Sequence, residues 1–160
     1  MAPFRICFVC LGNICRSPLA EAVLQQMVRT RGLEDQIEIE SRGTGDWHLG
    51  QPADPRMQAA ATRHGVPMST RAELFEEEDF ADFDLILSMD RARFGELERR
   101  MPRRVKAALR LFRDYDPEAS GPADVPDPYY GGEDGFEEVY RIVERTCAAM
   151  LDAHQRGELP

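Results

Sequence analysis

The sequence predicts a doubly wound α/β domain: a four-stranded parallel sheet with helices on both faces. Three observations predict it. Short apolar runs alternate with stretches of helical spacing along the 160 residues. The first apolar run, residues 4–9, feeds a tight loop, and that loop opens a helical pattern. No repeat or low-complexity segment interrupts the alternation, so residues 1–160 read as a single domain with one core.

The elements follow in order. Residues 5–9 are apolar enough for a buried central strand. Ser17-Pro18 begins a helix to about Arg31, with Ser17 as candidate cap and Pro18 in the first turn, where its missing N–H costs least. Gly32 stops that pattern. Residues 37–41 alternate and predict a second strand; residues 43–52 are loop. Asp54-Pro55 opens a second helix that ends near His64-Gly65, and an acidic loop holds residues 76–79. A third strand spans residues 84–89, and Asp90 caps a helix to about Met101. A fourth strand lies within residues 105–112, although 107–111 also fit a helix. Residues 114–132 are a loop rich in Pro and Gly, and residues 135–155 form a long amphipathic helix. Ligands of such sheets sit beyond the carboxyl ends of the strands, where the first loop lies.

Composition narrows the classes. A net charge of −9 argues against general nucleic-acid binding and demands that any phosphate site be made locally positive. No apolar run approaches the roughly 20 residues that span a bilayer. The N-terminus lacks a signal peptide's layout, so a cytoplasmic address is expected. Cys7 and Cys10 are spaced C-x-x-C, but residues three apart on a strand face opposite ways, so a shared metal is not expected. Cys7 and Cys147 read as small core residues. Arg99, Arg100, Arg103, Arg104, Lys106, Arg110 and Arg113 make a basic stretch, read first as a solvated face and second as a dock for acidic partners.

The chemistry concentrates in Val9-Cys10-Leu11-Gly12-Asn13-Ile14-Cys15-Arg16-Ser17-Pro18. Loop N–H groups and a helix N-terminus converge there on one point, which suits an anion. A Cys facing that point is expected as a thiolate nucleophile. Gly12 lets the backbone turn, and Asn13 tolerates left-handed geometry. Arg16 supplies a planar fork for two phosphoryl oxygens, and Ser17 a donor to the sulfur.

This run closely resembles the active-site loop of the low-molecular-weight protein tyrosine phosphatases. Ser41, Asp46-Trp47, Asp54-Pro55-Arg56, His64-Gly65, Ser88-Met89-Asp90 and the segment Val125-Pro126-Asp127-Pro128-Tyr129-Tyr130 fall where that family has similar motifs. The resemblance implies a metal-independent, cofactor-free phosphotyrosine phosphatase. In it Cys10 attacks phosphorus, Arg16 and loop residues 11–15 with Ser17 hold the phosphoryl group, and Asp127 serves as acid and then base. Trp47, Tyr129 and Tyr130 would wall a slot for an aromatic ring, Asn13 and Ser41 would brace the loop, and Cys15 would trap oxidised Cys10 as a disulfide. Many members brace that Asn with a His where this chain has Thr70. The arginine-phosphatase branch places Thr where Ile14 stands, so Ile14 points toward tyrosine. Arsenate reductase shares the fold, but its chemistry needs further thiols, and no Cys lies between Cys15 and Cys147. The implied partners are phosphotyrosine proteins, with a cognate tyrosine kinase among the substrates considered, and neither nucleic acid nor membrane. The implied state is a monomer or weak dimer.

Overall fold

The computed structural model describes residues 2–129 and 131–160. Four strands form one parallel sheet: β1 (Phe4–Cys10), β2 (Ile37–Gly43), β3 (Leu85–Ser88) and β4 (Ala108–Leu111), in the order β2-β1-β3-β4. Helices α1 (Arg16–Thr30), α2 (Pro55–Arg63), α3 (Asp79–Asp82), α4 (Arg91–Arg100) and α5 (Glu133–Gln155) connect and cover it. The predicted class therefore holds. The two-way reading of residues 107–111 resolves to strand, because Leu109 and Leu111 are buried between neighbours while Arg110 faces out. Two short elements were absent from the prediction, α3 and the 3₁₀ turn Phe112–Tyr115. Each is about one turn, too short for apolar periodicity to register.

Strand β1 divides the core by alternation. Ile6, Phe8 and Cys10 pack toward α1 and α5, while Cys7 and Val9 pack toward Phe75, Phe80, Phe83, Ile86 and Leu97. The C-x-x-C pair thus straddles the sheet, as the spacing required. Phe8 meets Phe112 edge to face at 5.4 Å, and truncating either ring would cost about 3–5 kcal/mol. Cys147 is fully buried on α5. Gly32, at φ 69°, ends α1 in the left-handed conformation that glycine favours.

The chain leaves β1 for β2 on one side and later returns to β3 on the other. The loops after β1 and β3 therefore meet at a switch point beyond the strands' carboxyl ends. Residues 99–113 do not form one basic face. Arg100 pairs with Glu77, Lys106 with Asp84, and Arg113 turns inward to Asp116. Among the described residues no helix is long and apolar enough to cross a membrane.

Candidate active site

At that switch point lies a cleft of about 350 Å³, lined by Cys10, Leu11, Gly12, Ile14, Cys15, Arg16, Trp47, His48, Asp127 and Tyr129. Its floor is the loop of residues 11–15. The loop's carbonyls are tied back into the protein: Thr44 N–H donates to Cys10 O (3.0 Å), Gly45 N–H to Leu11 O (2.9 Å) and Asp54 N–H to Ile14 O (2.8 Å). Among the described residues, the N–H groups of residues 11–15 have no protein acceptor. Unspent amides beside the N-terminus of a 15-residue helix make an anion cradle.

One local expectation is corrected. Ser17 does not cap α1: the helix starts at Arg16, Cys15 occupies the cap position without a side-chain cap bond, and Ser17 is its second residue. Its hydroxyl instead shares a 2.9 Å hydrogen bond with Cys10 Sγ. The left-handed turn falls on Asn13 alone (φ 55°), not on Gly12. Gly12 serves a close approach, since a Cβ there would stand 3.0 Å from the His48 ring.

Asn13 is held from three sides. Its Nδ2 donates to Ser17 Oγ (2.7 Å) and Ser41 Oγ (3.0 Å), and its Oδ1 accepts from Glu73 N–H (2.9 Å). Among the described residues no hydrogen bond joins Thr70 to Asn13. A backbone amide three residues along does the work that Thr70 was considered for, and a backbone donor leaves no side-chain signature in sequence.

Arg16 is buried and strongly tied. Nη1 donates to Asp90 Oδ2 (2.8 Å) and Val125 O (3.1 Å), and Nη2 lies 3.5 Å from Asp127 Oδ2. Burial works against its charge, but Cys10, Asp127 and Asp90 outweigh it and keep the guanidinium ionised. With Nη1 engaged, the Nε–Nη2 edge is the one that can grip two oxygens. Asp90 also accepts from Arg93 N–H at 2.6 Å, so one carboxylate caps α4 and aims Arg16. The sequence reading saw only the cap.

Asp127 is half-exposed between two prolines. Oδ1 accepts from Tyr129 N–H (3.0 Å), and Oδ2 is the oxygen beside Arg16. Its loop is anchored at Val125, whose N–H donates to Met89 O (2.8 Å), and at Asp124, which takes Arg91 N–H (2.8 Å) and, through its carbonyl, Arg113 Nη1 (2.9 Å). Arg113 and Arg145 both reach Asp116, whose side chain is fully buried. Burial alone would raise the Asp116 carboxyl. Hydrogen bonds from Arg145, Glu118 N–H and Arg113 outweigh it and hold it below its ordinary range.

Above the floor, Trp47 stands 69% exposed on one side of the cleft. Its ring lies 1.9 Å from where a Gly45 Cβ would be, so Gly45 makes room for it. Tyr129 packs against the Arg56 guanidinium (5.4 Å) and the His48 ring (5.8 Å). Tyr130, expected in the same wall, lies outside the described residues. His48 is the lining residue that sequence reasoning missed; a lone His in a loop carries no periodic or motif signal. Cys15 also lines the cleft, and burial, reinforced by Asp54, pushes its thiol well above the ordinary range.

The chain is similar to known proteins over nearly its whole length. A family model described as low molecular weight phosphotyrosine protein phosphatase matches residues 5–158. A Streptomyces coelicolor low molecular weight protein-tyrosine-phosphatase is 47% identical, over 94% of this chain and 93% of that protein. The crystal structure of a protein tyrosine phosphatase from Entamoeba histolytica, with Hepes in its active site, superimposes at a TM-score of 0.92. It is 36% identical and covers 98% of this chain and 99% of that one. A Drosophila arginine phosphatase structure is similar at a TM-score of 0.87 and 30% identity, covering 94% and 97%.

Proposed function

The chain belongs to the low molecular weight phosphotyrosine protein phosphatase family, and on that premise we propose that it hydrolyses phosphotyrosine in proteins through a phosphocysteine intermediate. One observation carries the reading most. Cys10, the unspent loop amides, Arg16 and Asp127 line a single cleft, although residues 10 and 127 are far apart in sequence.

In the first step the Cys10 sulfur forms a bond to phosphorus as the bond to the aryl oxygen breaks. Asp127 gives its proton to that oxygen, because a phenolate leaves poorly otherwise. The loop amides and the Nε–Nη2 edge of Arg16 hold the equatorial oxygens as charge redistributes. In the second step water attacks phosphorus, its proton goes to Asp127, and the S–P bond breaks. The Ser17 hydroxyl, 2.9 Å from Cys10 Sγ, stabilises the departing sulfur. No step calls for a metal. Trp47 and Tyr129 give the cleft aromatic walls that suit an aryl ring, which phosphotyrosine carries and phosphoserine lacks. Cys15, a neutral thiol in the same cleft, is read as the group that captures oxidised Cys10 as a disulfide.

Phosphoarginine is the second reading, raised by the likeness to the arginine phosphatase; buried Ile14 in the cleft lining argues for tyrosine. Matched peptides carrying phosphotyrosine, phosphoserine or phosphoarginine, assayed with EDTA present, test the choice. Turnover is expected on phosphotyrosine and is expected to vanish in Cys10→Ser. Faster turnover of phosphoarginine would overturn the substrate reading, and activity retained by Cys10→Ser would overturn the mechanism.

A further inference from the structure

Glu21 lies on α1 behind the loop, outside the cleft, and is only 6% exposed. Neither step of the reaction uses it. A buried carboxyl is costly, and its partners show what it holds. Ser41 Oγ donates to Glu21 Oε1 over 2.6 Å. Ser41 Oγ in turn accepts from Asn13 Nδ2, and the same amide donates to Ser17 Oγ, which meets Cys10 Sγ. Glu73 N–H occupies Asn13 Oδ1, so the amide cannot flip without losing that bond.

These bonds assign each hydrogen. Asn13 Nδ2 has two, one for each serine oxygen. Ser41's own hydrogen then goes to Glu21, and Ser17's own hydrogen is left for the Cys10 sulfur. The assignment requires Glu21 to be an acceptor.

We propose that ionised Glu21 is a positioning residue for the reaction: by holding Ser41 as a donor it keeps Asn13, and through Asn13 the Ser17 hydroxyl, set to stabilise the Cys10 thiolate. The inference rests on the reading of Cys10 as nucleophile. A protonated Glu21 still offers Ser41 its carbonyl oxygen, but that neutral bond is weaker than the charge-assisted one, and the new carboxyl hydrogen competes for Ser41 Oγ. Asn13 then loosens, and Ser17 can turn to its second acceptor, the Arg42 carbonyl at 3.4 Å.

The surroundings place this change in the neutral range. Burial pushes the Glu21 carboxyl up to about 7; the Ser41 hydrogen bond opposes the rise, Glu40 and Glu73 add to it, and Arg42 subtracts. Arg42 is shared among Glu40 (2.8 Å), Glu73 (3.5 Å) and Asp79 (3.7 Å). Cys7 on β1 feels the same cluster, and Gln25 Nε2, one turn along α1, lies 3.5 Å from Glu21 Oε2. Direct repulsion between Glu21 and the Cys10 thiolate has the opposite sign, so the direction of the pH effect separates the two.

Iodoacetamide, a neutral reagent, reads the Cys10 thiolate without a substrate phosphate that itself titrates. Cys10 alkylation, located by peptide mass, is followed across neutral pH in the wild type, Glu21→Gln and Ser41→Ala. The wild-type rate is expected to rise about fivefold through an inflection near pH 7, the worth of one hydrogen bond. Glu21→Gln offers Ser41 only a neutral acceptor at every pH, like the protonated carboxyl, and is expected to stay on the slow plateau without an inflection. Ser41→Ala cuts the link and is expected to stay there too; it also carries the test should Glu21→Gln fail to fold. An inflection that survives in either variant overturns the proposal. So does a wild-type rate that lacks the inflection, or falls as pH rises through it. Failure of the nucleophile reading looks different, since Cys10→Ser would then keep its turnover.

Discussion

Single residues in this protein often have two duties, and the second is the one that sequence conceals. Ser17 is the reverse case: its bond to the sulfur was legible, and the helix cap also read into it is absent. Asn13 was legible as a left-handed turn from its type and as a loop brace from the family resemblance; the Glu73 amide that completes the brace was not, because every residue but proline has such an N–H. Glu21 was invisible for another reason. A carboxylate on an amphipathic helix is ordinarily solvated, and only the tertiary fold buries this one. That burial has a stability signature. The folded state binds the Glu21 proton up to about pH 7, while the unfolded chain releases it near its ordinary value of 4.5. Between those values the native state holds more protons, so stability falls as pH rises, by at most roughly 3 kcal/mol. Urea unfolding at a series of pH values should show this fall in the wild type and lose it in Glu21→Gln. Cys15 is tested at the same scale. Activity lost to peroxide should return on thiol reduction in the wild type far more completely than in Cys15→Ser, and equal recovery would remove its protective role.

At the scale of elements, the site depends on which loops the sheet brings together. The alternation of strands and helices made the parallel sheet legible, Asp54-Pro55 was recognised as a helix start, and Asp90 as a cap from type and position. The tertiary duty of Asp90 was not legible, because a cap motif looks the same whether or not its spare oxygen faces a distant arginine. Asp90 joins β3's loop to β1's by accepting Arg16 Nη1 while it caps α4. Asp90→Ala should therefore cost about 1 kcal/mol for the lost cap and more for a buried guanidinium short of a partner. It should also lower kcat/KM for aryl phosphates as Arg16 loses its aim. Asp90→Asn keeps an acceptor at the cap and should recover most of the stability but not the rate, read by thermal unfolding beside kinetics. The Asp127 loop is legible as a pre-ordered turn from its prolines. Its anchor through Asp116, Arg113 and Arg145 emerges only where the 3₁₀ turn after β4 meets α5.

At the scale of the whole molecule, a net charge of −9 surrounds a site built to hold a dianion. The attraction is therefore local, made by one buried arginine and a set of loop amides rather than by a positive surface. Cradle and acid are far apart in sequence and meet because the sheet's switch point gathers the loops after β1 and β3. The Asp127 loop, which follows β4, hangs on the loop after β3 through Val125 N–H to Met89 O. The central claim is that Asp127 supplies the proton that lets an aryl oxygen leave phosphorus bound at Cys10. Its most direct test is kcat/KM, which reports phosphoryl transfer to Cys10 and not the later hydrolysis step shared by all substrates, of wild type and Asp127→Ala across aryl phosphates whose phenols differ in acidity. The variant should be slower by about 10²–10⁴-fold on poor leaving groups, with the deficit shrinking steadily as the phenol becomes more acidic. A deficit of equal size across the series would contradict the assignment of Asp127 as the acid.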